Sequence, residues 1–327
     1  MPINNIKVHN FTVFSDFEMK LGNGINLIIG ENGIGKTHLL KIIYSLIKTQ
    51  QQYNDTKKDG NAQQMSVPKE LVISGLATVF DVTDEYLKSS MSSSDFSLKH
   101  NMVFQSTQTQ VLFIPSKEML SHARGLTSMK KKYGDNMPFD ATLLDIIEKA
   151  QAWKLSKAPP LAKSITPVLE RVIGGVVEIK EDCSFWIKKT DGKMLPFSME
   201  ADGHKLFGLL WQLIMNENIT SNSVILWDEP ENSINPENIP VLVESIIELQ
   251  RHGVQLIMAS HSYNFVRYFD VLRNKDDSVK HFCLYKSDEG NTVNSWAESF
   301  RNLVPNPIDS AGERLYKDAI GKAMEDA

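Results

Sequence analysis

Apolar and polar positions change period several times along the chain. Residues 3–14 alternate roughly between the two, as a half-buried strand does. Gly24 then leads into the apolar run Ile25–Ile29, which ends at a glycine as a buried central strand would. From His38 to Ile47 the apolar residues Leu39, Leu40, Ile42, Ile43, Leu46 and Ile47 fall at helical spacing. The opening therefore predicts strand, Gly-rich turn, helix. Residues 48–69 and 88–94 are polar and predict loops flanking strands at Glu70–Ile73 and Ala77–Val82. Val111–Ile114 predicts a buried strand stopped by Pro115, and helical patterns follow at Phe139–Ala152 and Ile165–Ile173.

The period returns to two at Val176–Lys180, Phe185–Lys188 and Met194–Phe197, with an Asp191-Gly192 turn signal between the last two. After that the pattern predicts a helix at Lys205–Met215, a buried strand at Val224–Trp227 and a helix at Ile239–Leu249. Strands at Val254–Met258 and His281–Tyr285 close the series. Strands separated by helices imply an α/β fold with a mostly parallel sheet. Its organisation reads as an N-terminal lobe over 1–115, a mainly helical then β-hairpin insertion over 116–197, and a C-terminal lobe over 198–327.

Composition narrows the class. Apolar residues make up 42% of the 327 and charged residues 23%, which excludes disorder as the main state. No run approaches the ~18 apolar residues of a membrane-crossing helix, so no membrane role is expected. The start MPINNIKVHNF lacks a charged and apolar leader pattern, and Cys183 and Cys283 lack CxxC spacing. A cytoplasmic location is the expectation. With 35 basic against 40 acidic residues the net charge is −5, so any nucleic-acid contact would be local. The candidate patch is Arg124 and Lys130-Lys131-Lys132, with Lys154, Lys157 and Lys163; the alternative is solvated surface.

Three stations carry chemistry. Gly30-Glu31-Asn32-Gly33-Ile34-Gly35-Lys36-Thr37 matches GxxxxGK[ST], the phosphate-binding loop. Its glycines let successive N–H groups turn toward phosphate oxygens, and the helix behind adds its positive end. Asn32, Gly33, Ile34, Gly35, Lys36, Thr37 and His38 are thus expected to hold ATP. Lys36 would supply charge to the phosphates and Thr37 a hydroxyl to Mg²⁺. A Gly-rich turn that merely caps a helix would leave Lys36-Thr37 unexplained. The second station, Asp228-Glu229-Pro230, ends the strand Val224–Trp227. Adjacent acids at a strand end need a cation or a proton. Asp228 would orient Mg²⁺, and Glu229 would polarise the attacking water; a helix cap or solvated turn is the alternative. The third is His261, also directly after an apolar strand, placed to report a γ-phosphate unless it is a satisfied loop histidine.

The order GENGIGKT, ADGHKLFGLLWQLI, VILWDEPENSINP and VQLIMASHS resembles ABC-type ATPases of the RecF/SMC branch, and within it the stand-alone bacterial ATP-binding proteins related to the OLD family. The resemblance covers the ATPase core and leaves the insertion unmatched. It implies an ABC-type head in which Asp228 ends the Walker B strand, Glu229 is the catalytic carboxylate, Glu231-Asn232-Ser233 forms the D-loop and His261 is the switch histidine. It also implies that Gly203 belongs to the signature, acting in trans across an ATP-bound head-to-tail homodimer or higher oligomer. Here Ala201-Asp202 stands where many relatives have serine, so Asp202 is read alternatively as a helix cap. Gln105 and Gln110 are the candidates for the metal-side glutamine. Only 327 − 261 = 66 residues follow His261, and no long coiled coil is present. The expected activity is therefore Mg-dependent ATP hydrolysis that regulates a separate effector, such as a nuclease in bacterial antiphage defence. Two rivals are a RecF-like DNA-maintenance ATPase and an ATP-dependent scaffold with little turnover. A P-loop kinase does not account for the DEP and SH stations.

Overall fold

The structure, a computed structural model, describes residues 3–56, 67–90, 97–100, 109–133, 139–153 and 157–325. The chain opens with β1 (Asn5–Phe11) and β2 (Phe14–Lys20), an antiparallel hairpin, before β3 (Ile25–Gly30), whose six residues are all buried. Lys36 starts α1 (Lys36–Thr56), which buries Leu39, Leu40, Ile43 and Ile47. Next come α2 (Lys69–Phe80), α3 (Asp84–Ser90), β4 (Ser97–His100), which joins β1, and β5 (Val111–Ile114).

Two readings are corrected here. The expected strands at 70–73 and 77–82 are a single helix, α2. Glycine at 75 lets α2 lie close on α1: a Cβ there would stand 2.2 Å from Thr49 Oγ1. That packing overrides the β-branched run Val72-Ile73. The polar stretch from Lys48 does not begin a loop either. α1 runs on to Thr56, held by Lys48 on Asp145 (2.8 Å) and by Gln51 on the Thr109 carbonyl (2.6 Å). The second expected loop begins inside α3, which runs to Ser90, and residues 57–66 and 91–94 lie outside the described residues.

The middle section holds α4 (Leu126–Tyr133), α5 (Ala141–Gln151) and α6 (Ala162–Ile173), then the antiparallel sheet β6 (Gly175–Ile179), β7 (Phe185–Lys189) and β8 (Met194–Pro196). It is followed by α7 (Asp202–Met215), β9 (Val224–Asp228), α8 (Ile239–Arg251), β10 (Gln255–Ala259) and α9 (Tyr263–Leu272). The described chain ends with β11 (Val279–Lys286), β12 (Thr292–Ala297) and α10 (Pro307–Glu325).

The central sheet has the order β12-β11-β3-β10-β9-β5; all its pairings are parallel except β11 with β12. Because side chains alternate along a strand, the sheet faces two cores. Leu27, Ile29, Ile225, Trp227, Leu256 and Met258 meet the helices α5 to α8, while Ile28, Leu226, Ile257 and Ala259 meet α1 and the N-terminal hairpin. Covered on both faces, the strands read as continuous apolar runs. No described helix is long and apolar enough to cross a membrane.

Candidate functional site

Strand order builds the site. β10 lies between β3 and β9 and is parallel to both, so all three release their chains at one edge of the sheet. In an open parallel sheet, ligands bind at that carboxyl edge. Ala259 pairs with Ile28 on one side and Asp228 on the other, so one rung aligns the three predicted stations. Two hydrogen bonds extend it: Ser260 N–H donates to Ile28 O (3.0 Å) and Glu229 N–H to Ala259 O (2.9 Å).

The loop after β3 curls through positive φ at Gly30 (149°), Gly33 (77°) and Gly35 (106°). Gly35 also has no room for a side chain, since a Cβ there would lie 2.5 Å from Val13 Cγ2. Ile34 is buried and anchors the loop, while Glu31, Asn32 and Gly33 form its exposed rim. The first hydrogen bond of α1 runs from Leu39 N–H to Gly35 O (2.8 Å). The N–H groups at the head of a helix have no partner within it, and here they stand beside the loop. Lys36 is buried, and its ammonium donates to the carbonyls of Gly30 (2.8 Å) and Glu31 (2.9 Å). Burial lowers its pKa from 10.5 to about 8, against the pull of Asp228 and Glu229. The His38 side chain turns aside, with its ring edge-on to Phe80 at 5.3 Å and Nδ1 buried.

Thr37 Oγ1 donates to the Asp228 carboxylate, 3.2 Å from Oδ1 and 3.0 Å from Oδ2, across 191 residues of chain. Burial raises the Asp228 pKa, the neighbouring Glu229 charge adds to it, and the Thr37 bond opposes it. A buried carboxylate facing a second acid calls for a cation. Thr37 and Asp228 supply hard oxygen donors of the kind Mg²⁺ takes, and phosphate and water would supply the rest. The residues thus fit MgATP. Glu229 sits at φ 49°, in the left-handed region, which turns its side chain away from the strand's alternation. Its Oε1 lies 3.4 Å from His261 Nε2, and both side chains are over a third exposed. Burial and the Lys36 charge lower the His261 pKa, while Glu229 raises it.

The structure therefore brings Lys36, Thr37, Asp228, Glu229 and His261 together. Gly203 is buried on the adjoining face: a Cβ there would stand 2.9 Å from Ser233 O. The capping position of α7 belongs to Ala201, without a side-chain cap, and Asp202 instead pairs with Lys205 (2.7 Å). This corrects the reading of Asp202 as the cap. Gln110 fails as the metal-side glutamine, because its carbonyl accepts from Val224 N–H at the opposite, entry end of β5 and β9. Gln105 and Lys154 lie outside the described residues. In the basic patch, Arg124 is already paired with Asp182 (3.0 Å), and Lys132 lies 5.0 Å over the Tyr133 ring.

One residue of the site escaped sequence reasoning in its role. A single oxygen of Glu231, Oε1, accepts from Ser260 Oγ (2.7 Å), His261 N–H (3.1 Å) and Ser262 N–H (3.1 Å). Burial raises its pKa, and Oε2 is buried with no hydrogen-bond partner among the described residues. Nothing in the run Pro230-Glu231-Asn232 distinguishes this clamp from an exposed turn.

The chain resembles known ATPases. A model described as "AAA ATPase domain" matches residues 1–157, and one described as "AAA domain, putative AbiEii toxin, Type IV TA system" matches residues 81–267. The DNA replication and repair protein RecF of Pediococcus pentosaceus is 30% identical over 142 residues, covering 41% of this chain but only 36% of RecF. An ATP/GTP phosphatase of Helicobacter pylori is 21% identical over 351 residues, covering 88% of this chain and 93% of the relative. The SMC head domain from Thermotoga maritima covers 91% of this chain and 100% of that domain, with a TM-score of 0.46 and 11% identity. The chain is an ATPase with an α/β P-loop fold. With more than half its length matched at 81–267, it belongs to the family described as AAA domain, putative AbiEii toxin, Type IV TA system.

Proposed function

We propose that the chain hydrolyses MgATP at the carboxyl edge of its central sheet, and that ATP joins two copies into a dimer whose state governs a separate effector. One observation carries the reading: the Thr37–Asp228 contact joins two stations far apart in sequence, with Glu229 and His261 alongside. Lys36 and the first N–H groups of α1 would hold the phosphates, and Thr37 and Asp228 the Mg²⁺. That ion neutralises charge on the phosphate oxygens. Glu229 orients the attacking water and takes its proton, and His261, 3.4 Å from it, steadies that carboxylate by its charge when protonated. Gly203, buried against Ser233, would present the signature edge to the other copy. In this proposal the ATPase head is built from 1–115 and 198–327, with 116–197 inserted, and it works in the cytoplasm.

The toxin and Type IV TA system named in the family description favour a partner protein, and the antiphage setting rests on the sequence resemblance alone. The test is direct. Lys36→Ala should abolish MgATP binding by calorimetry. Glu229→Gln should retain it, lose turnover and accumulate an ATP-dependent dimer in light scattering. Normal hydrolysis by Glu229→Gln would refute the assignment of the base. The RecF relative favours a second reading, in which DNA is the partner. That reading requires duplex binding that weakens steeply with salt.

A further inference from the structure

The acidic residue three places beyond Asp228 has no assigned part in the chemistry, yet one oxygen of its half-buried carboxylate gathers three hydrogen-bond donors at the sheet edge. Glu231 leaves the loop after β9 and reaches the loop after β10. There Oε1 collects three donors: the Ser260 hydroxyl at 2.7 Å, the His261 amide at 3.1 Å and the Ser262 amide at 3.1 Å. The Ser260 side chain is fully buried, and its oxygen also accepts from Ser262 N–H (3.1 Å). Ser262 in turn caps α9 by accepting from Phe265 N–H (3.3 Å). The grip therefore reaches the backbone on both sides of His261. Charge-assisted bonds to backbone amides are short and directional, so they fix a loop better than neutral contacts do.

The other side of Glu231 is equally connected. Asn232 N–H donates to Glu229 O (3.0 Å), and the Asn232 side chain donates to Ser116 O beyond β5 (3.1 Å). Ser233 sits at φ 61° with its carbonyl against Gly203. The loop that carries Glu231 thus touches the base-bearing residue, the loop after β5 and the head of α7. Among the described residues, its side-chain hydrogen bonds to the histidine's loop run through this carboxylate.

Resting on the ATPase reading above, we propose that Glu231 is a positioning residue: it sets His261 against Glu229 and passes movement of the loop after β9 to that histidine. It touches no phosphate. Its removal should loosen the Glu229–His261 pair, set now at 3.4 Å, while leaving the phosphate loop intact. The effect belongs in kcat and not in KM.

The experiment measures steady-state ATP hydrolysis by the full chain, with MgATP affinity from calorimetry alongside. Glu231→Ala should lower kcat at least tenfold and leave the MgATP dissociation constant within twofold. Glu231→Gln keeps an acceptor oxygen in place and should recover most of the lost rate. Ser260→Ala removes one donor without disturbing the carboxylate. It should lower kcat by a smaller factor, which keeps the test open if Glu231→Ala does not fold. The decisive comparison is made in a His261→Ala background, where Glu231→Ala should change kcat by less than twofold, because the two act in series. Full additivity there, a Glu231→Ala kcat within twofold of wild type, or a loss confined to KM would overturn the role. These outcomes are separable from failure of the ATPase reading, which would show as no hydrolysis by the wild-type chain and no effect of Glu229→Gln, and would overturn both.

Discussion

Replacing Lys36 by methionine should make the empty protein more stable while destroying its ability to bind MgATP. The buried ammonium titrates at about 8 in the fold against 10.5 outside it, so the fold disfavours its charged form. The sign is fixed by proton counts. Between these two values the unfolded chain holds more protons than the native one, so stability rises with pH across that window, and the full cost is present below it. At 1.36 kcal/mol per tenfold, the charge costs the native state about 3 kcal/mol at pH 7 and about 2 kcal/mol at pH 9. Methionine escapes that cost but surrenders the bonds to the Gly30 and Glu31 carbonyls, about 1 kcal/mol each. Lys36→Met should therefore gain about 1 kcal/mol at pH 7, and its advantage should shrink by about 1 kcal/mol by pH 9. Urea melts of both proteins at several pH values measure this difference, and titrating groups remote from Lys36 cancel between them. MgATP at a hundredfold excess over its dissociation constant should restore the order, adding about 2.7 kcal/mol to wild type alone. A Lys36→Met protein less stable than wild type at pH 7, or a gap constant from pH 7 to 9, would refute the reasoning.

Further outcomes follow from the same geometry. Gly35→Ala places a methyl 2.5 Å from Val13 Cγ2 and 2.9 Å from Phe14 Cζ at φ 106°, and should cost about 3 kcal/mol in urea melts. Asp228→Asn keeps a partner for Thr37 but removes a buried charge. Because burial raises this carboxyl's pKa, its charge weakens the native state once pH rises through that value, so the variant should match or exceed wild-type stability at pH 7. The Asp228→Asn advantage should fade on acidification, and the variant's hydrolysis should fall at least about a hundredfold with loss of Mg²⁺ dependence. Trp211→Phe removes the 2.8 Å bond to Glu170 that ties α7 to α6, and should lower stability by about 1 kcal/mol without changing MgATP affinity.

The three stations were legible because each couples a local pattern to a chemical need: an apolar strand, then glycines with Lys36-Thr37, then Asp228-Glu229, then His261. What hydrophobic periodicity could not convey was packing between elements. Leu71-Val72-Ile73 and Thr78-Val79-Phe80 look like two short strands until Gly75 is seen against Thr49. The polar end of α1 looks like a loop because its supports, Asp145 and the Thr109 carbonyl, lie far along the chain. α10 carries Leu315, Tyr316 and Met324 more than two-thirds exposed, so no single buried stripe announced it. The Glu231 clamp stayed hidden for a related reason. A carboxylate with three donors looks the same in sequence as one facing water, and its partners belong to another strand.

The rung through Ile28, Ala259 and Asp228 has a kinetic corollary. The amides of Glu229 and Ser260 are sealed by the same ladder that sets the spacing of the catalytic groups. Deuterium uptake at those two amides should therefore rise together, in one opening event, and ATP turnover should vanish at the denaturant concentration where they first become labile. The pocket would fail as a unit, with no partly assembled form in between.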